Sequence, residues 1–134
     1  MKKFSLELVS PEKLLLNKDV TMVTVPGSEG DYGVMAGHTP IITTLRPGVI
    51  EVYEADDHTV SDHFFVAGGF AEVTNERCTL LAEDAVPVAK LDRAQLSDEA
   101  KALRDDLADP AFGGRADSEA KLVIVQAKLE ALGA

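Results

Sequence analysis

PGSEGDYGVMAGHTPIITTLRP, residues 26–47, mixes closely spaced glycines with short apolar patches at Val34, Ile41, Ile42 and Leu45. Glycine and proline at such intervals mark tight turns, so the stretch reads as hairpins and not as helix. A phosphate-cradling loop also uses glycines, but it needs a lysine and a following helix N-terminus. The charges here are Glu29 and Asp31, with strand-like sequence after them. Together with a lone histidine, His38, and no recognisable catalytic grouping, these residues read as a docking surface.

Working outward, residues 3–86 keep an apolar period of two. Phe4, Leu6 and Leu8 alternate with Ser5, Glu7 and Val9, and Val23 and Val25 flank Thr24. Val49 to Tyr53, Phe64 to Val66, Phe70 to Val73 and Thr79 to Leu81 are further short runs. Alternation over so few residues predicts strands. Turn signals separate them at Ser10-Pro11, Asn17-Lys18-Asp19, Pro26-Gly27, Gly37, Pro47-Gly48, Asp56-Asp57-His58, Gly68-Gly69 and Thr74-Asn75. The predicted fold class is an all-β sandwich, or flattened barrel, over residues 1–86. Gly68-Gly69, inside an apolar run, marks a bulge or a close backbone approach.

From residue 87 to 134 the composition turns to Ala, Leu, Asp and Lys, and the period lengthens to three and four. Leu96, Ala100, Leu103 and Leu107 form one helical face; Ala120, Val123, Ala127 and Ala131, with Ile124 and Leu132 beside them, form another. Asp109-Pro110 stops the first helix, Asp117 or Ser118 caps the second, and Gly133 ends it, giving a C-terminal antiparallel α-helical hairpin. Helices of about 11 and 15 residues are marginal alone in water. Alanine-rich contact faces bury little area, so the hairpin is expected to be loosely held.

The chain of 134 residues, 46% hydrophobic, can bury one modest core with an appendage. Its net charge of −10 is uneven: residues 1–86 carry 6 basic and 14 acidic side chains, residues 87–134 carry 7 and 9. Such a surface repels nucleic-acid phosphate and anionic lipid, which points to a basic protein partner. The single cysteine, Cys78, allows no internal disulfide and fits a reducing compartment. Lys2 and Lys3 are followed by Glu7 and Pro11 before any long apolar run, so no signal peptide is expected. No run approaches the roughly 20 apolar residues of a membrane span, so membrane association is expected only through another protein.

No catalytic residue is expected. Glu29 and Asp31 are carboxylates in a solvated loop, where neither is tuned for acid–base work. His58 and His63 stand at an odd strand offset, on opposite faces, so no metal is expected there. No Ser/His/Asp order with a nucleophile elbow and no CxxC occurs.

GSEGDYGVMAGHTPIIT followed by LRPGVIEV, then FFVAGGFAEV and TLLAEDAV, resembles the epsilon subunits of bacterial F-type ATP synthases over nearly the whole chain. The resemblance implies a non-catalytic subunit of the rotary central stalk, peripheral on the cytoplasmic face of the bacterial inner membrane. It implies a sandwich bound to the gamma subunit and the c-ring, with Asp31 and then Glu29 toward the ring and His38 toward gamma. It further implies a regulatory hairpin that modulates ATP hydrolysis by reaching toward the alpha and beta subunits. Several members of that family bind ATP through an (I/L)-D-x-x-R-A motif. The corresponding phrase here is Leu91-Asp92-Arg93-Ala94-Gln95-Leu96, where Gln95-Leu96 replace the Arg-Ala pair and Arg93-Ala94 stand in a shifted register. Without that guanidinium the bidentate phosphate clamp is missing, so the site reads as vestigial and no cofactor is expected. A free-standing acidic β-sandwich adaptor is the alternative reading.

Overall fold

A computed structural model describes residues 2–133, in two compact units that divide after Pro87. The first unit holds ten strands: β1 (Phe4–Val9), β2 (Leu14–Val20), β3 (Met22–Gly27), β4 (Gly30–Met35), β5 (Ile41–Leu45), β6 (Gly48–Tyr53), β7 (Asp62–Val66), β8 (Gly69–Val73), β9 (Arg77–Ala82) and β10 (Ala85–Pro87). They form one curled sheet in the order β10-β7-β6-β3-β5-β8-β9-β1-β2, with β4 paired to β3. Every pairing is antiparallel except β1 with β9, which run parallel from Ser5↔Arg77 to Val9↔Leu81.

The alternation read from sequence sets the inner face. Phe4, Leu6 and Leu8 of β1, Val23 and Val25 of β3, Ile50 and Val52 of β6 and Leu80 of β9 belong to one buried cluster. Residues of distant strands meet there because the sheet closes over on itself, which removes apolar surface from water on one side only. Strand β3 makes the corner: Met22 to Thr24 pair with β6, whereas Gly27 pairs with Leu45 of β5. Pro26, which has no N–H to give to a ladder, sits where the partner changes.

Two turns predicted from sequence are strand instead. Asn17-Lys18-Asp19 lies inside β2, paired with Glu7, Leu6 and Ser5. Its polarity belongs to an edge strand: Lys18 faces inward opposite Leu6, and its Nζ reaches Asp62 at 2.6 Å and Glu54 at 3.1 Å. An inward charge at a sheet edge discourages pairing with another chain. Pro26-Gly27 likewise belongs to β3, and the turn falls two residues later at Ser28-Glu29, between the paired Gly27 and Gly30. Gly68 and Gly69 do mark a close approach, since both have φ near +130° and a Cβ at Gly69 would lie 2.0 Å from the Leu81 carbonyl oxygen.

Cys78 is fully buried on β9, and burial pushes its thiol up to about 12. The raised value favours the neutral thiol of the folded chain. Its stabilising contribution is complete below the ordinary thiol range and is lost as pH rises toward 12. A thiol reagent at pH 8 is therefore expected to leave the native chain unlabelled and to label it stoichiometrically in denaturant; rapid labelling of native protein would contradict the burial.

The second unit contains a short 3₁₀ turn (Val88–Lys90), α1 (Arg93–Ala108) and α2 (Arg115–Ala131). At 16 and 17 residues, both helices exceed the lengths expected from sequence. Asp92 caps α1 by accepting from the N–H groups of Ala94 and Gln95. Neither Asp117 nor Ser118 caps α2: Gly114 occupies the cap without a side-chain bond, Asp117 lies in the first turn and Ser118 is buried. The contacting face of α2 also differs from the expected one. Leu122, Val125, Leu129 and Leu132 pack against Leu91, Leu96, Ala100 and Leu103, while Ala120 and Val123 are exposed. Leucine rather than alanine fills the contact between the helices, so the expected poverty of buried area does not hold there.

Candidate docking surface

The β3–β4 tip is held rigidly. Asp31 pairs with the Arg46 guanidinium, whose Nη1 donates to the Gly27 carbonyl at 2.7 Å. The Arg46 N–H donates to the Pro26 carbonyl at 3.0 Å, and that of Ser28 to the Thr44 carbonyl at 3.0 Å. Tyr32 and Thr43 hydroxyls meet at 2.5 Å. Burial raises the Tyr32 phenol further above neutrality, so it stays protonated. Between the tip and β5 lies an open groove of about 570 Å³ lined by Ser28, Glu29, Asp31, Tyr32, Ile42 and Thr44. Sequence reading passed over Arg46, which neutralises Asp31; among the described residues Glu29 has no such counter-ion.

His38 lies at the other end of the same hairpin. Asp31 pairs with Pro26 near the tip, whereas Met35 pairs with Met22, and the His38 N–H donates to the Met35 carbonyl at 3.2 Å. The ring Nδ1 stands 2.7 Å from the Thr39 carbonyl and therefore donates to it. The N–H of neighbouring Gly37 donates to Asn75 O at 2.8 Å. Glu29 and Asp31 thus share the tip, whereas the His38 backbone follows the far end of β4 and its ring reaches back to lie 6.5 Å, centroid to centroid, from that of Tyr32, a groove residue.

A third feature had no obvious mark in the sequence. The registers place Thr44 beside Phe70, Phe70 beside Leu81, Leu81 beside Val9 and Val9 beside Leu14, all on the outer face. Phe70, Leu81 and Leu14 are 53%, 45% and 53% exposed. The next row is mostly polar, running Ile42, Glu72, Thr79, Glu7 and Asn17. An apolar line across four strands, β8, β9, β1 and β2, with carboxylates in the next row, suits a protein partner with an apolar centre and a basic rim. The detectable signal was a break in alternation: Phe70 and Leu81 are large apolar residues at positions whose neighbours Ala71 and Leu80 face inward.

Residues 3–88 match the family model described as the ATP synthase delta/epsilon chain, beta-sandwich domain. The chain belongs to this family. An ATP synthase epsilon chain of Rhodospirillum centenum is 50% identical over 132 residues, covering 96% of this chain and 90% of the relative. The epsilon chain of Paramagnetospirillum magneticum is 52% identical over 107 residues, 80% of this chain and 79% of that one. Among solved structures, a chain of the Euglena gracilis mitochondrial ATP synthase (OSCP/F1/c-ring, rotational state 1) superposes with a TM-score of 0.85 at 27% identity, covering 97% of this chain and 81% of its own. As an ATP synthase epsilon-family subunit the chain is part of the stalk and not of the catalytic machinery.

For a subunit of this family the hairpin motif is the remaining candidate site, and each of its residues has a local structural task. Leu91 packs into the helical core, Asp92 caps α1, and Ala94 supplies an N–H to that cap. The Arg93 Nη2 donates to the Leu132 carbonyl at 2.9 Å. On the sandwich, His58 lies beside Asp56 and Asp57 while His63 lies 3.9 Å from Glu51. Backbone N–H donation from His58 and Thr59 holds the Asp56 carboxyl below its usual range. No group of three or more metal-binding side chains occurs among the described residues, and no described helix is long and apolar enough to cross a membrane.

Proposed function

We propose that the sandwich couples the gamma subunit to the c-ring, docking on gamma through the apolar row of Val9, Leu14, Phe70 and Leu81 and meeting the ring with the Glu29–Asp31 tip. The observation that carries this reading is the exposed row itself, since side chains of that size across adjacent strands are an unstable surface unless a partner covers them. The acidic tip complements basic and polar loops, and Arg46 fixes its shape. His38 is assigned to contact with gamma; its ring lies beside Tyr32 and its Nδ1 is held by the Thr39 carbonyl. The helical unit is the regulatory part that modulates ATP hydrolysis through the alpha and beta subunits, and it has a core of its own. No ATP is bound in this role, because Asp92 and Arg93 serve the helix ends. The complex holds the subunit peripherally at the cytoplasmic face of the bacterial inner membrane.

Replacing Phe70 and Leu81 together by glutamate tests the reading. Both side chains point outward, so the fold is expected to persist, reported by an unreactive Cys78. Affinity for gamma is expected to fall about 100-fold or more, because two charges would be desolvated in an apolar contact. Co-purification with gamma and the c-ring at undiminished stoichiometry would refute the assignment of this face.

A further inference from the structure

Each helix of the hairpin begins with an arginine, Arg93 in α1 and Arg115 in α2. In an antiparallel pair the start of each helix lies beside the end of the other, and both guanidinium groups are used there. Arg93 Nη2 donates to the carbonyl of Leu132, the C-cap of α2, at 2.9 Å. Arg115 Nη1 donates to Leu107 O at 2.9 Å, and its Nη2 to Asp109 O at 3.2 Å, at the end of α1.

We propose that these arginines form a reciprocal clasp that makes α1 and α2 one cooperative body, so that the hairpin repositions closed and its helices part only when both clasps are released. The last carbonyls of a helix lack partners within it and carry partial negative charge. α1 has no basic residue in its last turn and ends among Asp105, Asp106 and Asp109. The cation that this end requires comes from the opposite helix. The two ends differ in one respect: Arg115 reaches acceptors eight and six residues away through the connecting loop, whereas Arg93 and Leu132 are 39 residues apart in sequence. Arg93 therefore closes the end that no turn closes, and the contact of Leu96, Ala100 and Leu103 with Leu122, Val125 and Leu129 runs between the two clasps.

Hydrogen exchange on the full chain tests this, with Arg93→Ala and Arg115→Ala measured separately. Either substitution is expected to quicken amide exchange about tenfold in both helices, because a cooperative unit opens as a whole. Arg93→Lys, which can replace a single bond, is expected to keep protection; Arg115→Lys, which loses a two-acceptor fork, is expected to lower it. Faster exchange confined to the helix carrying the substitution, or none, overturns the proposal. Equal protection with both lysines overturns it too, since charge at the helix ends would then suffice. The lysine pair keeps the test decisive where an alanine chain fails to fold.

Discussion

Alanine at position 69 is expected to destabilise the sandwich by about 3–5 kcal/mol. Two costs coincide. Gly69 has φ of +132°, a region that side-chain-bearing residues rarely adopt, and its Cβ would stand 2.0 Å from the Leu81 carbonyl oxygen and 2.9 Å from the Ala82 Cα. Both obstacles are backbone of β9, so relief requires parting the β8–β9 ladder at the Gly69↔Ala82 pair. Because β9 also carries β1, a shift there reaches the core through Leu80 and its partner Leu8. Thermal unfolding is expected about 15 °C or more lower. Gly113→Ala is the control, since nothing lies within 4 Å of a Cβ there. Equal melting temperatures for the two variants would refute the account.

Val125→Asp is expected to abolish the helical signal of the second unit while leaving the sandwich folded. Val125 is 3% exposed in the contact between α1 and α2, and a carboxylate there would be buried without a partner at a cost of about 3 kcal/mol or more. Once the contact is lost, two helices of 16 and 17 residues are only marginally stable alone. Far-UV circular dichroism should lose most of its 222 nm ellipticity, with Cys78 still protected from thiol reagents. Val123→Asp distinguishes the two possible faces of α2, because Val123 is 56% exposed and should tolerate the change. Loss of helix in the Val123 variant and retention in the Val125 variant would show that the other face makes the contact.

Those two positions also show where sequence reading succeeds and where it runs out. α2 carries two apolar stripes of equally helical spacing, Ala120, Val123, Ala127 and Ala131 on one side and Leu122, Val125, Leu129 and Leu132 on the other. The stripe of Leu122, Val125, Leu129 and Leu132 wins because its leucines bury more area against Leu96 and Leu103, a property of the partner helix that no local period contains. The strands of the sandwich were legible where one face is apolar and the other polar, as in β1. β2 was misread because an edge strand carries Asn17, Lys18 and Asp19 without leaving the ladder. The acidic tip and its histidine stood out in the sequence. The row of Val9, Leu14, Phe70 and Leu81 did not, since it exists only once three registers align residues up to 72 positions apart.

The single parallel ladder of the sheet has a consequence for how the chain comes into being. β1 is made before the other strands of the sheet, yet its second neighbour is β9, whose residues 77–81 are made some 70 positions later. Until then β1 is hydrogen-bonded only to β2, no ladder ties that hairpin to the rest of the sheet, and a lone hairpin is marginal in water. Closure is therefore held back until nearly the whole first unit has been synthesised, and a nascent chain stalled before Arg77 should remain open to proteases. The helical pair, built from contacts close in sequence, is translated after the sandwich and can form fast.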